Sequence, residues 1–241
     1  MDSERYSRQQ TIVGDGGQAL LMEKKVLIVG CGGLGGHLIE NMLRIGVGHI
    51  VAVDPDRFEP SNLNRQLLSA VPLLGSSKAE AAAARAKAVN PEVDLRAVGE
   101  AFSPKNADEL VRGCDLVLDG LDNVSDRLLL EDVCARHRVP LVHGAIGGEL
   151  LQAAVVPPGS GMLHTLYVRA AFGNETNGQE TKASIAYTPA CCAAIQCAQA
   201  LKLLLGERPP LWGKFLQLNL GTMTEDIVSS PPCDSLEKPS C

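Results

Sequence analysis

The sequence predicts an α/β chain: a doubly wound, mostly parallel sheet with helices on both faces, extended by an antiparallel arm and a crossover loop. Three observations carry that expectation. Short apolar runs alternate with helix-length segments between residues 26 and 145, the pattern of strands joined by crossover helices. The first run enters a glycine-rich turn, Gly30-Cys31-Gly32-Gly33-Leu34-Gly35, which opens a helix in the Rossmann-like manner. Beyond residue 145 the alternation gives way to a hairpin pattern and a stretch of weak periodicity.

Residues 1–25 read as a helical arm broken at Gly14-Asp15-Gly16-Gly17. Val26–Val29 is the first strand, and the helix after it covers Gly36–Ile45 and stops at Gly46 and Gly48. Ile50–Val53 is the next strand. Lys78–Val89 is alanine-rich and therefore helical; Ser76 or Ser77 can cap its start, and Asn90-Pro91 ends it. Val93–Val98 alternates as a half-buried strand. Asn106–Arg112 is a short helix, Leu116–Leu118 a strand, Asp126–His137 a helix and Leu141–Gly144 a strand. Gly147–Val156 forms an antiparallel arm. Residues 157–182, rich in Gly, Pro, Asn, Thr and Glu, read as a loop crossing the surface. Thr188-Pro189 opens a long apolar helix, Ala190–Leu205, ended by Gly206, and Phe215–Leu220 is a strand. The expected organisation is one domain over residues 1–228, with an arm (1–25), a nucleotide-binding core (26–145) and a crossover loop (about 157–185). A polar, proline-rich tail, 229–241, is loosely docked.

With 45% hydrophobic residues in 241, the chain can bury a sizeable core. A net charge of −6 and 3% aromatic residues argue against nucleic-acid partners, which need a basic face or stacking platforms. No signal-peptide pattern and no apolar run of about 20 residues is present. A cytoplasmic protein with no membrane partner is the expectation. Eight cysteines in such a chain are reduced and serve mainly as small core residues; no CxxC pair supports a zinc ribbon.

Gly30, Gly32 and Gly35 let the backbone approach a phosphate at a helix N-terminus. Asp54 ends the next strand, the place for a carboxylate that accepts from ribose hydroxyls, with Asp56 two residues on. Taken alone, this motif reads as a dinucleotide-binding dehydrogenase. The block Ser61-Asn62-Leu63-Asn64-Arg65-Gln66 adds phosphate chemistry. Arg65 can clamp phosphate oxygens through its planar fork, and Asn62 can donate from its amide. Lys78 adds a mobile positive charge. The competing view is that Arg65 and Lys78 are solvated surface charges. Asp122 can hold Mg²⁺; the alternative is that Asp122 or Asn123 caps the helix that carries Arg127. Asp119, nearer the strand end, reads as a buried structural partner.

These elements together, with Arg5-Tyr6-Ser7-Arg8-Gln9, resemble the MoeB/ThiF/HesA adenylyltransferases, relatives of the ubiquitin-activating enzymes. The similarity runs from about residue 4 to residue 220. It implies a homodimer with a Mg-ATP site lined by Gly30, Gly32, Gly33, Gly35, Asp54, Asp56, Asn62, Arg65, Gln66, Lys78, Asp122 and Asn123. Asp54 would meet the ribose, Asn62, Arg65 and Lys78 the phosphates, and Asp122 the metal. Arg8 would reach the triphosphate bound to the neighbouring subunit. The implied reaction is attack of a carboxylate on the α-phosphorus of ATP with release of pyrophosphate. The carboxylate would be the Gly-Gly end of a small ubiquitin-like sulfur-carrier protein or, alternatively, that of a small molecule or peptide.

Two departures from the family pattern matter. Leu166-Tyr167-Val168-Arg169 stands where relatives carry a first zinc-binding CxxC pair, and Cys233 and Cys241 have the wrong spacing for the second, so no structural zinc is expected. Thr181 stands where relay enzymes carry a cysteine, and residues 135–190 contain none, which counts against a thioester step. Cys191 and Cys192 open an apolar helix and read as core. An NAD-linked oxidoreductase and a non-catalytic binding module remain the competing classes.

Overall fold

The computed structural model describes residues 4–172 and 183–229. Two short helices, α1 (Gln10–Val13) and α2 (Gly17–Glu23), form the arm, with the expected break between them. The core follows as β1 (Lys25–Val29), α3 (Gly33–Ile45), β2 (His49–Val53), α4 (Lys78–Val89), β3 (Asp94–Val98), α5 (Ala107–Val111), β4 (Leu116–Asp119), α6 (Val124–His137) and β5 (Leu141–Gly147). Then come β6 (Leu150–Val156), α7 (Met162–Phe172), α8 (Tyr187–Leu204), β7 (Lys214–Asn219) and β8 (Thr224–Ser229).

Eight strands form one sheet in the order β3-β2-β1-β4-β5-β6-β7-β8. Pairings from β3 to β5 are parallel, and those from β5 to β8 are antiparallel. Alternate residues of β1 explain why both faces need helices. Val26 and Ile28 pack with Leu38, Met42 and Ala82 of α3 and α4 and with Cys197 and Ala200 of α8. Leu27 and Val29 point the other way, into a cluster with Leu110, Leu130, Val133 and Leu163 of α5, α6 and α7. The chain steps outward from β1 to β2 and β3, then returns to place β4 on the other side of β1. That reversal leaves a crevice beyond the carboxyl ends of β1 and β4.

The structure corrects three expectations. Residues 157–182 are not all loop: Met162–Phe172 is α7, while 173–182 lie outside the described residues. The helix starts there because the Glu131 carboxylate on α6 accepts from the Leu163 and His164 backbone amides at 3.1 and 3.0 Å, capping α7 from a distance. Second, β5 continues to Gly147, so the antiparallel arm extends a parallel-sheet strand directly. Third, β8 is a strand that the sequence pattern does not suggest; it takes in Ser229, and the remaining tail lies outside the described residues. Among the described residues no helix is long and apolar enough to cross a membrane.

Candidate functional site

A cleft of about 1040 Å³ opens at the β1/β4 switch point. Gly30, with φ +93°, turns the chain out of β1. A Cβ on Gly30 would lie 2.4 Å from the Gly120 carbonyl oxygen, and one on Gly35 would lie 1.7 Å from that of Gly30. Gly30 thus lets the loops after β1 and β4 touch, and Gly35 lets α3 sit against the turn. Gly32, at the N-cap of α3, joins Gly33 and Leu34 in lining the cleft. The first amides of α3 have no intrahelical acceptor, so this end of the helix suits an anion.

Asp54, buried at the end of β2, holds this turn. Its Oδ2 accepts from the Cys31 amide at 2.6 Å and its Oδ1 from the Asp56 amide at 2.8 Å. Each oxygen keeps a second acceptor site for a ligand hydroxyl.

A 3₁₀ turn at Pro60–Asn62 presents the polar block. Asn62 is buried because its Oδ1 accepts from the Glu59 amide at 3.0 Å in a reciprocal cap. Its Nδ2 makes only a 3.4 Å contact to Ser61 Oγ, so donor capacity remains. Half-buried Arg65 donates from Nη1 to the Ser61 carbonyl and to Asn64 Oδ1, both at 2.9 Å. Gln66 is buried over the turn: a Cβ on Gly32 would meet Gln66 Nε2 at 3.5 Å, and Gln66 Oε1 has no hydrogen-bond partner.

Lys78 is not the mobile charge expected from the sequence. Its side chain, 8% exposed, is folded in from the start of α4 with Nζ 2.9 Å from Asp56 Oδ2. It is not a solvated surface charge either. The tether fixes an ammonium at the cleft wall beside a carboxylate that is itself 64% exposed.

Beyond β4, Asp119 is fully buried, as expected of a structural partner. Asn123 caps α6: its Oδ1 accepts from the Asp126 amide at 2.9 Å. The capping alternative therefore belongs to Asn123, not to Asp122. Asp122 is exposed in the cleft lining and makes no hydrogen bond or ion pair with another described residue. Asp126 lines the cleft one turn into α6 and accepts from Asn123 Nδ2 at 2.9 Å.

The cleft thus gathers the sequence-derived residues except two. Gly35 works behind the turn. Arg8 is exposed and does not line its own chain's cleft. The structure adds Arg57, Glu59, Ala101, Phe102, Asp126, Ile146 and Ser184 to the lining, and Arg127, singled out from the sequence beside Asp122-Asn123, lies there too. Position after a strand's carboxyl end is the available sequence signal for Arg57 and for Ala101-Phe102. Ser184 and Ile146 arrive by long-range folding and leave no local signal. The carboxylates of Asp54, Asp56, Glu59, Asp122 and Asp126 outnumber the cations of Arg57, Arg65, Lys78 and Arg127. A polyphosphate alone would meet a lining without a cationic excess, and a divalent ion on the free Asp122 carboxylate would correct that. This donor set fits Mg²⁺, which binds through one or two carboxylates, water and substrate phosphates. Among the described residues no cluster of three His, Cys, Asp or Glu is placed to hold a metal by protein ligands alone.

The described cysteines behave as core. Cys31, Cys114, Cys134, Cys192 and Cys197 are buried, and burial pushes each thiol above its ordinary range, Cys197 to about 12. Such thiols carry almost no thiolate near neutrality. Cys191 is half-buried. Cys233, Cys241 and Thr181 lie outside the described residues.

Comparison with known proteins gives the site its context. Residues 6–241 match the ThiF family. A SAMP-activating enzyme E1 of Haloferax volcanii is 37% identical over 235 residues, covering 95% of this chain and 87% of that protein. A sulfur carrier protein adenylyltransferase of Thermus thermophilus is 34% identical over 234 residues, covering 88% and 82%. Among solved structures, E. coli MccB with MccA-N7isoASN superposes with a TM-score of 0.81 at 19% identity, covering 98% of this chain and 74% of that one. At that identity the likeness concerns the fold alone.

Proposed function

The chain belongs to the ThiF family, and on that premise we propose that it activates the C-terminal carboxylate of a small ubiquitin-like sulfur-carrier protein as an acyl-adenylate. The observation that carries this is the cleft itself: Asn62, Arg65, tethered Lys78 and free Asp122 surround a glycine turn at the switch point. A dinucleotide oxidoreductase has no need of this cluster beyond its pyrophosphate turn, and a pure scaffold has no need of it at all. The relatives named for sulfur carriers favour that substrate over a small-molecule carboxylate.

ATP lies with its ribose on the free acceptor sites of Asp54 and its phosphates between the α3 N-terminus and Arg65. Asn62 Nδ2 and Lys78 donate to phosphate oxygens. A carboxylate oxygen of the carrier attacks the α-phosphorus in line, the bond from that phosphorus to the β-bridging oxygen breaks, and pyrophosphate leaves with the electron pair. Both reactants are anions, so their approach is uphill. Arg65 and Lys78 lower that barrier by holding positive charge where negative charge develops, without reorganising. Mg²⁺, held through Asp122, would supply Lewis-acid neutralisation of the phosphates. No residue acts as a covalent nucleophile in this step, consistent with the buried thiols. Arg8, exposed and away from its own cleft, acts on the second subunit of a homodimer.

The test is ATP–pyrophosphate exchange dependent on an added carrier ending in Gly-Gly. Exchange that requires the carrier and falls about 100- to 1000-fold in Arg65→Ala, as when one transition-state donor is removed, supports the proposal. Activity that is insensitive to Arg65, or an absence of ATP binding, rejects it.

A further inference from the structure

A buried hydrogen-bond circuit joins four elements behind the cleft and closes on the residue preceding Asp122. The Asp119 carboxylate, at the end of β4, accepts the Leu121 amide on Oδ1 at 2.9 Å. Its Oδ2 lies 2.6 Å from Nδ1 of His143 on β5. Nε2 of His143 lies 3.4 Å from the hydroxyl of Tyr167 on α7. That hydroxyl accepts from Arg127 Nη1, on α6, at 3.2 Å. Arg127 Nη2 then donates to the Leu121 carbonyl at 2.7 Å.

The donors and acceptors around this ring are complementary. Arginine only donates, so the Tyr167 oxygen accepts from Arg127. A carboxylate only accepts, so His143 Nδ1 carries the proton toward Asp119, while Nε2 and the Tyr167 hydroxyl share the next bond. Asp119 and His143 have no exposed surface and Arg127 is 2% exposed, so water cannot replace a missing member cheaply. Edge-on packing of the Tyr167 ring against His143, with centroids 6.1 Å apart, and the Arg127 guanidinium 6.0 Å from that ring centre, fix the side chains further.

Leu121 is consequently held at both its amide and its carbonyl. The next residue, Asp122, makes no bond of its own to another described residue, so what holds its backbone is the Leu121 peptide on one side and the Asn123 cap on the other. We propose that Tyr167 and His143, acting through Arg127 and Asp119, are positioning residues for the Asp122 carboxylate, and that α7 is thereby tied to metal binding in the cleft. This rests on the adenylation reading for its purpose but not for its geometry. Gln196 of α8 braces the same point from the other face, donating to the Asp119 carbonyl at 2.9 Å and to the Val142 carbonyl at 3.2 Å.

The test uses the full chain with Tyr167→Phe, which keeps the ring and removes only the hydroxyl. Amide hydrogen exchange at Leu121 should speed up by about five- to tenfold, the worth of one buried hydrogen bond, while β1 amides stay unchanged. The half-saturating Mg²⁺ concentration for ATP binding should rise by a similar factor, with metal-free nucleotide affinity unaltered. His143→Asn, which retains a donor toward Asp119, should sit between wild type and His143→Ala in both readouts. Unchanged Leu121 exchange in Tyr167→Phe and His143→Ala overturns the proposal whether or not the chain adenylates anything. A lowered melting temperature with an unshifted Mg²⁺ midpoint also overturns it, because a merely structural role predicts that result. Carrier-dependent exchange by the wild type reports on the function separately.

Discussion

At the scale of single residues, close approach and charge separate structural from chemical roles. Gly35→Ala places a methyl 1.7 Å from a backbone carbonyl that cannot rotate away. The expected cost is about 3 kcal/mol, the upper end for overpacking, read as a lower denaturation midpoint. Lys78→Ala should behave in the opposite way. Its partner Asp56 is 64% exposed and rehydrates when freed, so stability should change by less than about 1 kcal/mol. Carrier-dependent pyrophosphate exchange should fall by about 100-fold if the ammonium fixed at the cleft wall serves the phosphates as proposed. Unchanged exchange in Lys78→Ala would remove Lys78 from the site. The glycine turn is legible in the sequence because its requirement is local: one turn, one helix start, two backbone contacts. The Lys78 tether is not, because Asp56 lies 22 residues away and only the fold brings them together. The same holds for Asn123 and Asp122: either spacing permits a cap, and only the structure gives the cap to Asn123.

Elements are legible where their signals lie within them. The alanine-rich run of α4 and the apolar strands β1, β2 and β4 announce themselves. In α7, Met162, Leu163, Leu166 and Tyr167 do recur at helical spacing and pack on the α5–α6 side of the sheet. Their signal is diluted by the Gly- and Asn-rich residues that follow, and the cap that starts the helix comes from Glu131, 32 residues earlier. β8 leaves no such mark because every position is exposed and no alternation develops; backbone pairing with β7 alone makes it a strand. If Glu131 holds α7, Glu131→Gln should cost about 2 kcal/mol, since the amide can accept one of the two bonds and loses the charge. The measurement is urea denaturation, with exchange protection lost first in α7. A second tie links α3 and α4, where Glu40 bonds Arg85 at 2.8 Å and Arg44 at 2.7 Å. The hydrogen bond from Arg85, then that from Arg44, holds the Glu40 carboxyl below its ordinary value against the opposing effect of burial. A lowered folded-state value means that stabilisation is complete above the unfolded pKa of about 4.3 and is lost as pH falls through the lower folded value. Glu40→Gln should therefore be less stable than wild type at neutral pH, and that gap should close on acidification through this window. A gap independent of pH would show that the tie is not ionic.

For the whole molecule, topology decides where chemistry can occur. The turn after β1 and the loop after β4 leave the sheet where the strand order reverses and so share a crevice, to which the segment after β2 adds Asn62, Arg65 and Lys78. The amino-acid pattern gives the alternation and the glycine turn after β1; that β4 is the neighbour of β1 comes from the structure, because a doubly wound sheet has more than one strand order. Subunit assembly is not readable in the same way. Arg8 lies on the exposed arm and does not line its own chain's cleft, so its proposed role on a second subunit needs its own test. Two variants separate the possibilities. Arg8→Ala supplies an intact cleft but no arm charge; Asp122→Ala supplies the arm charge but a cleft without its free carboxylate. Each alone should lose carrier-dependent pyrophosphate exchange. After mixing and subunit exchange, half the dimers pair one variant with the other. Each such dimer holds one complete site, in which the Asp122→Ala subunit's Arg8 faces the Arg8→Ala subunit's cleft. Recovery to about one quarter of wild-type activity per site is expected from random pairing of two-site dimers. No recovery, with dimers verified by sedimentation, would place Arg8 outside the reaction and leave each cleft complete within its own chain.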